Sequence, residues 1–173
     1  METQALQKAV IPWLGHYAID TTESTVSFAT RHLFGLAPVH GVLALRGGTV
    51  DIAEPLSDSK IHAEIETATF LTGNAQRDAS VLSARFLDPD RYPVMTFVCY
   101  HADLDQRVLT GILTVRHVSK PVQLTIADVT VAPQSFAATA TTRIDRTEFG
   151  VTAARGVAAR YLDLTVEVRC VRM

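Results

Sequence analysis

Five charged residues in two short segments have the types and spacing to pair with each other or to bind an anion. Arg77 and Asp78 are adjacent in a polar segment, and Arg143, Asp145 and Arg146 lie at the end of an alternating one. Opposite charges placed in this way form an ion-pair cluster that holds one segment against another. An arginine there also binds a phosphate or carboxylate head group, because the planar guanidinium matches both in shape. The sequence leaves both interpretations open.

The spacings typical of metal centres, nucleotide sites and nucleophilic catalysis are missing from the sequence. No two of its six histidines have the His-x-x-x-His spacing, and Cys99 and Cys170 form no Cys-x-x-Cys pair. Neither a Gly-x-Ser-x-Gly elbow nor a glycine-rich phosphate loop is present. We therefore expect no catalytic residue, no bound metal and no cofactor, and we expect the histidines to be solvated.

Composition limits the classes of partner. The 173 residues are 47% hydrophobic and 20% charged, with a formal net charge of −2. This near balance lacks the excess of cations that drives nucleic-acid binding, so we expect no nucleic-acid partner. No apolar run approaches the ~18 residues of a spanning helix, so we expect no transmembrane segment. The amino-terminal residues do not have the pattern of a secretory signal, and the two cysteines are predicted to be buried free thiols, which together predict a cytoplasmic location.

Period-two alternation of apolar and polar residues is the main structural signal. It is clearest in residues 162–170 and recurs in residues 61–66. Strands at roughly ten-residue spacing with turn residues between them are typical of an antiparallel barrel or sandwich. Gly47-Gly48 is predicted to form a hairpin turn between two strands, and residues 103–106 a second hairpin loop. We expect an all-β domain of about eight strands over residues 15–173, preceded by an extension of residues 1–14.

One long connection interrupts the strands. Residues 72–82 have helical spacing, and Asn74 is a suitable N-cap for a short helix. The prolines at positions 89 and 93 then stop regular structure. Because connections of this length in compact domains are usually functional, we expect residues 72–93 to form a lid over one end of the domain.

The predicted inward faces mix large and small apolar residues. An eight-stranded barrel is either filled by its side chains or holds one small ligand, and aromatic residues make up only 7% of this chain. A solid core and an apolar cavity both stay open on this pattern alone. The small residues on the predicted inward faces are Ala44, Ala63, Ala127, Ala138 and Ala140. The candidate cavity-lining residues are Val26, Phe28, Leu43, Ile61, Ile65, Phe97, Leu113, Leu124, Ile126, Leu164 and Val166, with Arg77, Arg143 and Arg146 as the polar candidates for the mouth.

A series of ordered motifs carries a family resemblance. The motifs are Tyr17-x-Ile19-Asp20, Ser24-x-Val26-x-Phe28, Thr69-x-x-Thr72-Gly73-Asn74, Arg77-Asp78, Phe86-Leu87-Asp88, Tyr92-Pro93, Gly111-x-Leu113-Thr114-Val115, Lys120-Pro121-Val122 and Arg146-x-x-Phe149-Gly150. From about residue 17 to residue 168 the chain resembles the YceI-like family of lipid-binding proteins, also described as polyisoprenoid-binding. The family usually has a histidine before the opening serine, where this chain has Glu23, and a glycine where this chain has His117.

The resemblance implies an extended, lipocalin-like antiparallel barrel that encloses a long apolar ligand, such as a polyprenyl chain, a quinone tail or a fatty-acid derivative. It also implies a non-enzymatic binding protein that is often a homodimer, and it favours the hollow barrel over the solid core. We therefore expect a carrier, storage or sequestering protein for a hydrophobic small molecule. Two alternatives remain: an enzyme acting on a hydrophobic substrate in the barrel, and a ligand-free, stress-related interaction protein.

Overall fold

The computed structural model describes residues 10–32, 37–154 and 159–173, and these residues form mostly strands. The ten strands are β1 (Gly15–Ile19), β2 (Thr25–His32), β3 (Ala37–Leu43), β4 (Leu45–Ile52), β5 (Lys60–Glu66), β6 (Val94–Asp103), β7 (Val108–Val115), β8 (Val118–Ala132), β9 (Ser135–Asp145) and β10 (Tyr161–Arg172). The one α-helix of the described residues, α1, spans Ala75–Val81.

Eight of the strands close into an antiparallel barrel. The hydrogen-bonded order is β1-β4-β5-β6-β7-β8-β9-β10, and β10 pairs back with β1 to complete the ring. β10 is long enough to pair with β1 near its carboxyl end and with β2 nearer its amino end. β2 in turn pairs with β3, so these two strands extend the wall at one end of the barrel. The predicted all-β antiparallel barrel is confirmed.

Gly47 and Gly48 do not form the predicted hairpin turn. Both lie inside β4, where the pairing with β5 shifts register between Leu45 and Gly47. A Cβ at Gly48 would lie 2.5 Å from the carbonyl oxygen of His62 and 2.6 Å from the side chain of Ile19. This glycine is therefore explained by a close approach of neighbouring strands rather than by a turn. The second predicted hairpin is confirmed, because β6 ends at Asp103 and β7 begins at Val108.

The long connection and its short helix are also confirmed. No strand lies between the end of β5 at Glu66 and the start of β6 at Val94. The Asn74 side chain accepts a hydrogen bond from the backbone N–H of Arg77 at 2.9 Å, which caps α1 as predicted. The connection also pairs with the barrel wall, since Leu71 forms an isolated antiparallel bridge with Val42 of β3. It thus covers the end of the barrel that β2 and β3 extend.

Candidate functional site

The described residues line two cavities in the barrel interior, and no residue lines both. The larger, which we call the upper chamber, has a volume of about 520 Å³ and lies at the end covered by the long connection. The smaller, the lower chamber, has a volume of about 150 Å³ and lies toward the opposite end. Along β10, Leu162 and Leu164 line the upper chamber, and Val166 and Val168 line the lower one. The two chambers therefore follow one another along the barrel axis.

Most of the predicted lining residues face one of these chambers. The structure places Val26, Phe28, Leu43, Ile65, Leu113, Leu164, Arg77 and Arg146 on the upper chamber. It places Ile61, Phe97, Leu124, Ile126 and Val166 on the lower chamber. The alternation therefore identified inward faces of the strands, although it did not divide them between two compartments.

Arg143 is the exception, and its predicted place at the mouth is corrected. It lines neither chamber and is exposed on β9, where its Nε donates to Asp163 Oδ1 on β10 at 2.9 Å. The next residue, Ile144, is buried and lines the upper chamber. Because successive side chains of a strand point to opposite faces, an inward Ile144 directs Arg143 to solvent.

Two of the five predicted small inward residues also lie elsewhere. Ala63, Ala138 and Ala140 line the lower chamber, as predicted. Ala44 is exposed between β3 and β4, and Ala127 is exposed where the β8–β9 pairing shifts register between Ile126 and Asp128. Leu43 and Ile126, which directly precede these alanines, line the chambers, so the alternation of side chains along the chain directs Ala44 and Ala127 outward.

Aromatic rings line the chambers without filling them because they lie against glycine backbone. A Cβ at Gly41 would lie 2.3 Å from the ring of Phe28, its cross-strand partner. The Phe28 ring also stacks on Phe70, with centroids 5.1 Å apart and planes inclined by 17°. Glycine therefore gives the Phe28 ring space beside the wall and leaves the centre of the upper chamber open.

Several residues of the upper chamber were not among the sequence candidates. Phe70, Phe86 and Leu87 come from the long connection, and Phe149 from the segment after β9. Segments outside the strands have no period-two pattern, so alternation could not identify them. Met95 on β6 was detectable, because it lies two residues before Phe97 on the same face of the strand.

Arg146 organises the segment that covers part of the upper chamber. Its Nε donates to the Ala159 carbonyl at 2.7 Å, and its Nη1 donates to the carbonyls of Val151 and Ala153, each at 2.8 Å. Its guanidinium carbon also lies 5.7 Å from the ring centroid of Phe86 in the long connection. Arg146 thus joins the connection to the barrel by a cation–π contact.

Arg77 and Asp78 stabilise the connection around Thr72. Asp78 is buried, and it accepts hydrogen bonds from the Thr72 backbone N–H at 3.1 Å and from the Thr72 hydroxyl at 2.6 Å. The hydroxyl bond lowers the pKa of Asp78, with a smaller contribution from the neighbouring Arg77 guanidinium. Arg77 Nη1 donates to the same hydroxyl oxygen at 3.1 Å, and the Arg77 side chain lines the upper chamber.

The ionisable groups on the upper chamber are all cationic. Arg85, which was not among the predicted mouth residues, joins Arg77 and Arg146 there, and no aspartate or glutamate is among the described lining residues. Arg85 is exposed and makes no hydrogen bond or ion pair with the part of the chain that the structure describes. Its guanidinium therefore remains available to an anion.

The remaining ionisable groups of the described chain show no arrangement for metal binding. No group of three or more histidine, cysteine, aspartate or glutamate residues in residues 10–32, 37–154 and 159–173 could hold a metal ion. The histidines whose side chains are described, His16, His40, His62, His101 and His117, are exposed. Cys99 and Cys170 are both buried and unpaired, as predicted. Burial raises the pKa of both thiols, that of Cys170 to about 12.

Comparison with known proteins identifies the family to which this barrel belongs. The sequence profile of the YceI-like domain matches residues 17–171, which is most of the chain. The chain belongs to the YceI-like family. Within the described residues, none of the helices of this YceI-like domain is long and apolar enough to cross a membrane.

YceI-like relatives resemble the chain in part of their length. A protein of Pseudomonas savastanoi pv. phaseolicola named UPF0312 is 35% identical over 113 residues, which are 61% of this chain and 58% of that protein. Protein YceI of Escherichia coli O157:H7 is 36% identical over 103 residues, which are 57% of this chain and 53% of that protein. The matched region therefore spans little more than half the length of either relative.

Solved structures share the YceI-like barrel at low sequence identity. BcnA of Burkholderia cenocepacia superposes with a TM-score of 0.72 and 19% identity, over 87% of this chain and 98% of that one. A polyisoprenoid-binding domain from Saccharophagus degradans superposes with a TM-score of 0.67 and 12% identity, over 93% of this chain and all of that one. At these identities the likeness shows a common fold.

Proposed function

We propose that this YceI-like domain binds one long-chain amphiphilic lipid inside its barrel, as a carrier, storage or sequestering protein. The chemical classes proposed are a polyisoprenoid, a quinone and a fatty-acid derivative. The observation that carries the proposal is the upper chamber of about 520 Å³, which is lined mainly by apolar side chains and has arginines as its ionisable groups. The same fold in a polyisoprenoid-binding domain supports it.

The apolar tail would supply most of the affinity. Each buried methylene contributes ~0.8 kcal/mol, so ten enclosed methylenes contribute on the order of 8 kcal/mol before the cost of ordering the chain. The aromatic pair Phe28 and Phe70 and the side chains of Met95 and Leu164 provide the surface for this contact. An unbranched or isoprenoid tail is therefore expected to bind better the more of it the barrel encloses.

The polar head would lie beside the arginines of the upper chamber. Arg77 and Arg85 border the chamber next to the hydroxyls of Ser80 and Ser83. Guanidinium groups bind phosphate and carboxylate through paired, charge-assisted hydrogen bonds. We therefore propose that an anionic head, at this end of the barrel, orients the ligand with its tail toward the lower chamber.

We further propose a binding role rather than a catalytic one. General acid or base chemistry needs a histidine, carboxylate or other titratable group beside the substrate. The titratable groups lining the two chambers are arginines and Cys99, and the raised pKa of Cys99 favours the neutral thiol. Turnover of a bound lipid would contradict this part of the proposal.

Melting temperature tests the function. The protein is heated with geranylgeranyl phosphate or palmitate, each held below its micellar concentration. Ligand at about 100 times its dissociation constant stabilises the folded state by about 2.7 kcal/mol, which raises the melting temperature by roughly 5–11 °C for a chain of this size. The absence of a shift with both probes, together with a lipid-free organic extract of the purified protein, would overturn the proposal in favour of a ligand-free interaction protein.

A matched pair of variants separates binding in the barrel from binding to its surface. Leu164→Trp fills the upper chamber from β10, whereas Glu167→Trp adds the same side chain to the solvent face of that strand. In Leu164→Trp the probes are expected to leave the melting temperature unchanged. In Glu167→Trp they are expected to raise it as they do in the parent protein. Equal shifts in both variants would show that the probes bind outside the chamber.

We also propose that the domain forms a homodimer. Trp13, Leu14 and Met173 are more than half exposed, and the Met173 backbone N–H donates to the His16 carbonyl at 2.9 Å, which places these residues at one end of the barrel. Exposed apolar patches of this kind often mark interfaces. Sedimentation equilibrium is expected to give twice the chain mass, and a Leu14→Asp variant to give the chain mass. A monomeric parent protein would contradict the proposal.

A cytoplasmic location is proposed from the two unpaired cysteines. Unpaired cysteines are typical of reducing compartments, in which structural disulfides are rare. Fractionation of cells that produce the full-length protein, followed by immunodetection, is expected to find it with the cytoplasmic markers. Recovery in an exported fraction would contradict this assignment.

A further inference from the structure

We infer that the lower chamber receives the end of the lipid tail and thereby sets the chain length that the barrel binds best. This inference rests on the proposed lipid-binding function and adds a selectivity site to it. The lower chamber lies farther along the barrel axis than the arginines of the upper chamber. A ligand whose head lies at those arginines would therefore bring only its tail end to the lower chamber.

A ring of side chains separates the two chambers, and we call this ring the waist. Three cross-strand pairs lie across the boundary, each with one member in each chamber. These pairs are Val26 with Val166, Leu45 with Ile65, and Phe97 with Leu113. All six side chains are apolar, and they come from β2, β4, β5, β6, β7 and β10, so a tail that passes along these strands meets hydrocarbon.

Phe97 is the largest side chain of the waist, and its position depends on a glycine. A Cβ at Gly111 would lie 2.7 Å from two carbons of the Phe97 ring, a distance that real side chains do not reach. The ring therefore lies against the β7 backbone rather than across the lumen. For a thin hydrocarbon chain to reach the lower chamber, the side chains of the waist would have to rotate aside.

The lower chamber has the chemistry of a tail pocket. Its described lining contains no charged side chain, and its two hydroxyl-bearing residues are Ser59 and Thr139. Ser59 Oγ already accepts a hydrogen bond from the Ala53 backbone N–H at 2.9 Å. Val10 and Pro12 of the amino-terminal segment and Leu104 of the β6–β7 hairpin line its far end.

Its size matches a short piece of hydrocarbon. An apolar cavity of about 150 Å³ in another protein stays dry and binds a molecule of benzene. The lower chamber has the same volume and therefore accommodates roughly one five-carbon isoprene unit. A tail that stops at the waist leaves this chamber empty, and a tail one isoprene unit longer would occupy it.

Affinity as a function of chain length tests the inference. The dissociation constants of straight-chain fatty acids that differ by two methylenes, and of prenyl phosphates that differ by one isoprene unit, are measured by isothermal titration. In the parent protein the affinity is expected to rise about fourfold for each added methylene until the lower chamber is full, and then to stop rising.

Variants of β9 test whether the lower chamber sets the chain length at which the affinity stops rising. Ala140→Phe fills the lower chamber, and Ala138→Leu fills less of it in case the larger side chain prevents folding. Ala137→Phe is the matched control, because Ala137 is exposed on the opposite face of the same strand. The filling variants are expected to bind short chains as the parent does and to reach their maximum affinity at a length shorter by roughly one isoprene unit. The control is expected to follow the parent curve.

Each outcome has a distinct meaning. If the parent protein binds chains of several lengths and the filling variants follow the same curve, the tail pocket is excluded while the binding function stands. If the parent binds neither series at any length, the proposed function itself has failed. If the chain length of highest affinity in Phe97→Ala moves toward longer or bulkier tails, the waist contributes to the selectivity for tail length. If that chain length is unchanged in Phe97→Ala, Phe97 does not contribute to the selectivity.

Discussion

The ring of Phe97 on β6 lies directly against the backbone of Gly111 on β7. No side chain larger than that of glycine would leave the ring in this place, since a Cβ at Gly111 would lie 2.7 Å from two of its carbons. Phe28 and Gly41 repeat the relationship in the upper chamber. Paired glycines thus hold two inward aromatic rings beside the wall, which explains how a barrel with inward phenylalanines contains open volume.

Substitution of Gly41 tests this explanation. A Cβ there would meet the Phe28 ring at 2.3 Å and the Leu71 carbonyl oxygen at 2.8 Å. Gly41→Ala is therefore expected to lower the free energy of unfolding by about 1–3 kcal/mol, as overpacked interiors do. Gly47→Ala is the control, because nothing lies within 4 Å of a Cβ at that position. Urea unfolding that shows equal stability for the two variants would contradict the explanation.

Loss of the hydrogen bonds from the Arg146 guanidinium to three backbone carbonyls is expected to destabilise the segment after β9. Arg146→Lys keeps the charge but cannot donate to three carbonyls in a fixed plane, so the protein should lose about 3 kcal/mol or more of stability. Arg143→Lys makes the same change three residues earlier at an exposed ion pair, where little effect is expected. Equal unfolding midpoints for the two variants would contradict the role assigned to Arg146.

The alternation of apolar and polar residues predicted the barrel strands and their inward faces. It did so whether the barrel is hollow or filled, because both impose the same pattern on the strands. Positions such as Ile61, Leu124 and Val166 were found in this way. The pattern failed where the backbone departs from regular pairing. Gly47-Gly48 has the composition of a turn but lies in a strand beside a register shift. Ala127 was assigned inward for its small size, although the preceding Ile126 lines the lower chamber and alternation directs Ala127 outward.

The candidate site was predictable only in part, for a related reason. The short-range pattern says which face a strand residue occupies, but it says nothing of how connections fold over the barrel end. Arg85 and Phe70 therefore escaped notice, although both line the upper chamber. Arg143 and Arg146 are three residues apart and chemically identical, and only the structure shows that one pairs with Asp163 on the surface while the other binds backbone carbonyls.

The stability of the long connection should depend on acid pH through Asp78. The Thr72 hydroxyl bond holds the Asp78 pKa below its ordinary value of 3.8. The charged carboxylate therefore adds stability that is present above the pKa of the unfolded chain and is lost as pH falls through the lower, folded pKa. In a Thr72→Val variant the Asp78 pKa, followed by carboxyl carbon NMR, is expected to rise.

Asp145 provides the internal control for that titration. Its pKa is also lowered, by the Thr147 hydroxyl first and by Arg160 among the smaller causes, and it is far from Thr72 in the chain. Its titration should be unchanged in the Thr72→Val variant. Parallel shifts of Asp78 and Asp145, or no shift of Asp78, would show that Thr72 does not act on Asp78 directly.

The thiol of Cys170 should be unreactive in the folded protein. Burial raises its pKa from 9.0 to about 12, which lowers its thiolate population at pH 8 by about 1000-fold. In a Cys99→Ala variant, which leaves Cys170 as the remaining cysteine, alkylation by iodoacetamide is expected to be slow until urea unfolds the chain. Labelling of the folded variant at the rate of a free cysteine would contradict the buried position of this side chain.

The central claim is that the barrel holds one long-chain amphiphile. Native mass spectrometry of the protein after incubation with geranylgeranyl phosphate tests this claim most directly, with the Leu164→Trp and Glu167→Trp variants measured alongside. We predict an added mass of one lipid per chain in the parent protein and in Glu167→Trp, and none in Leu164→Trp. Failure of the parent protein to retain the lipid, or equal retention of lipid by all three proteins, would contradict it.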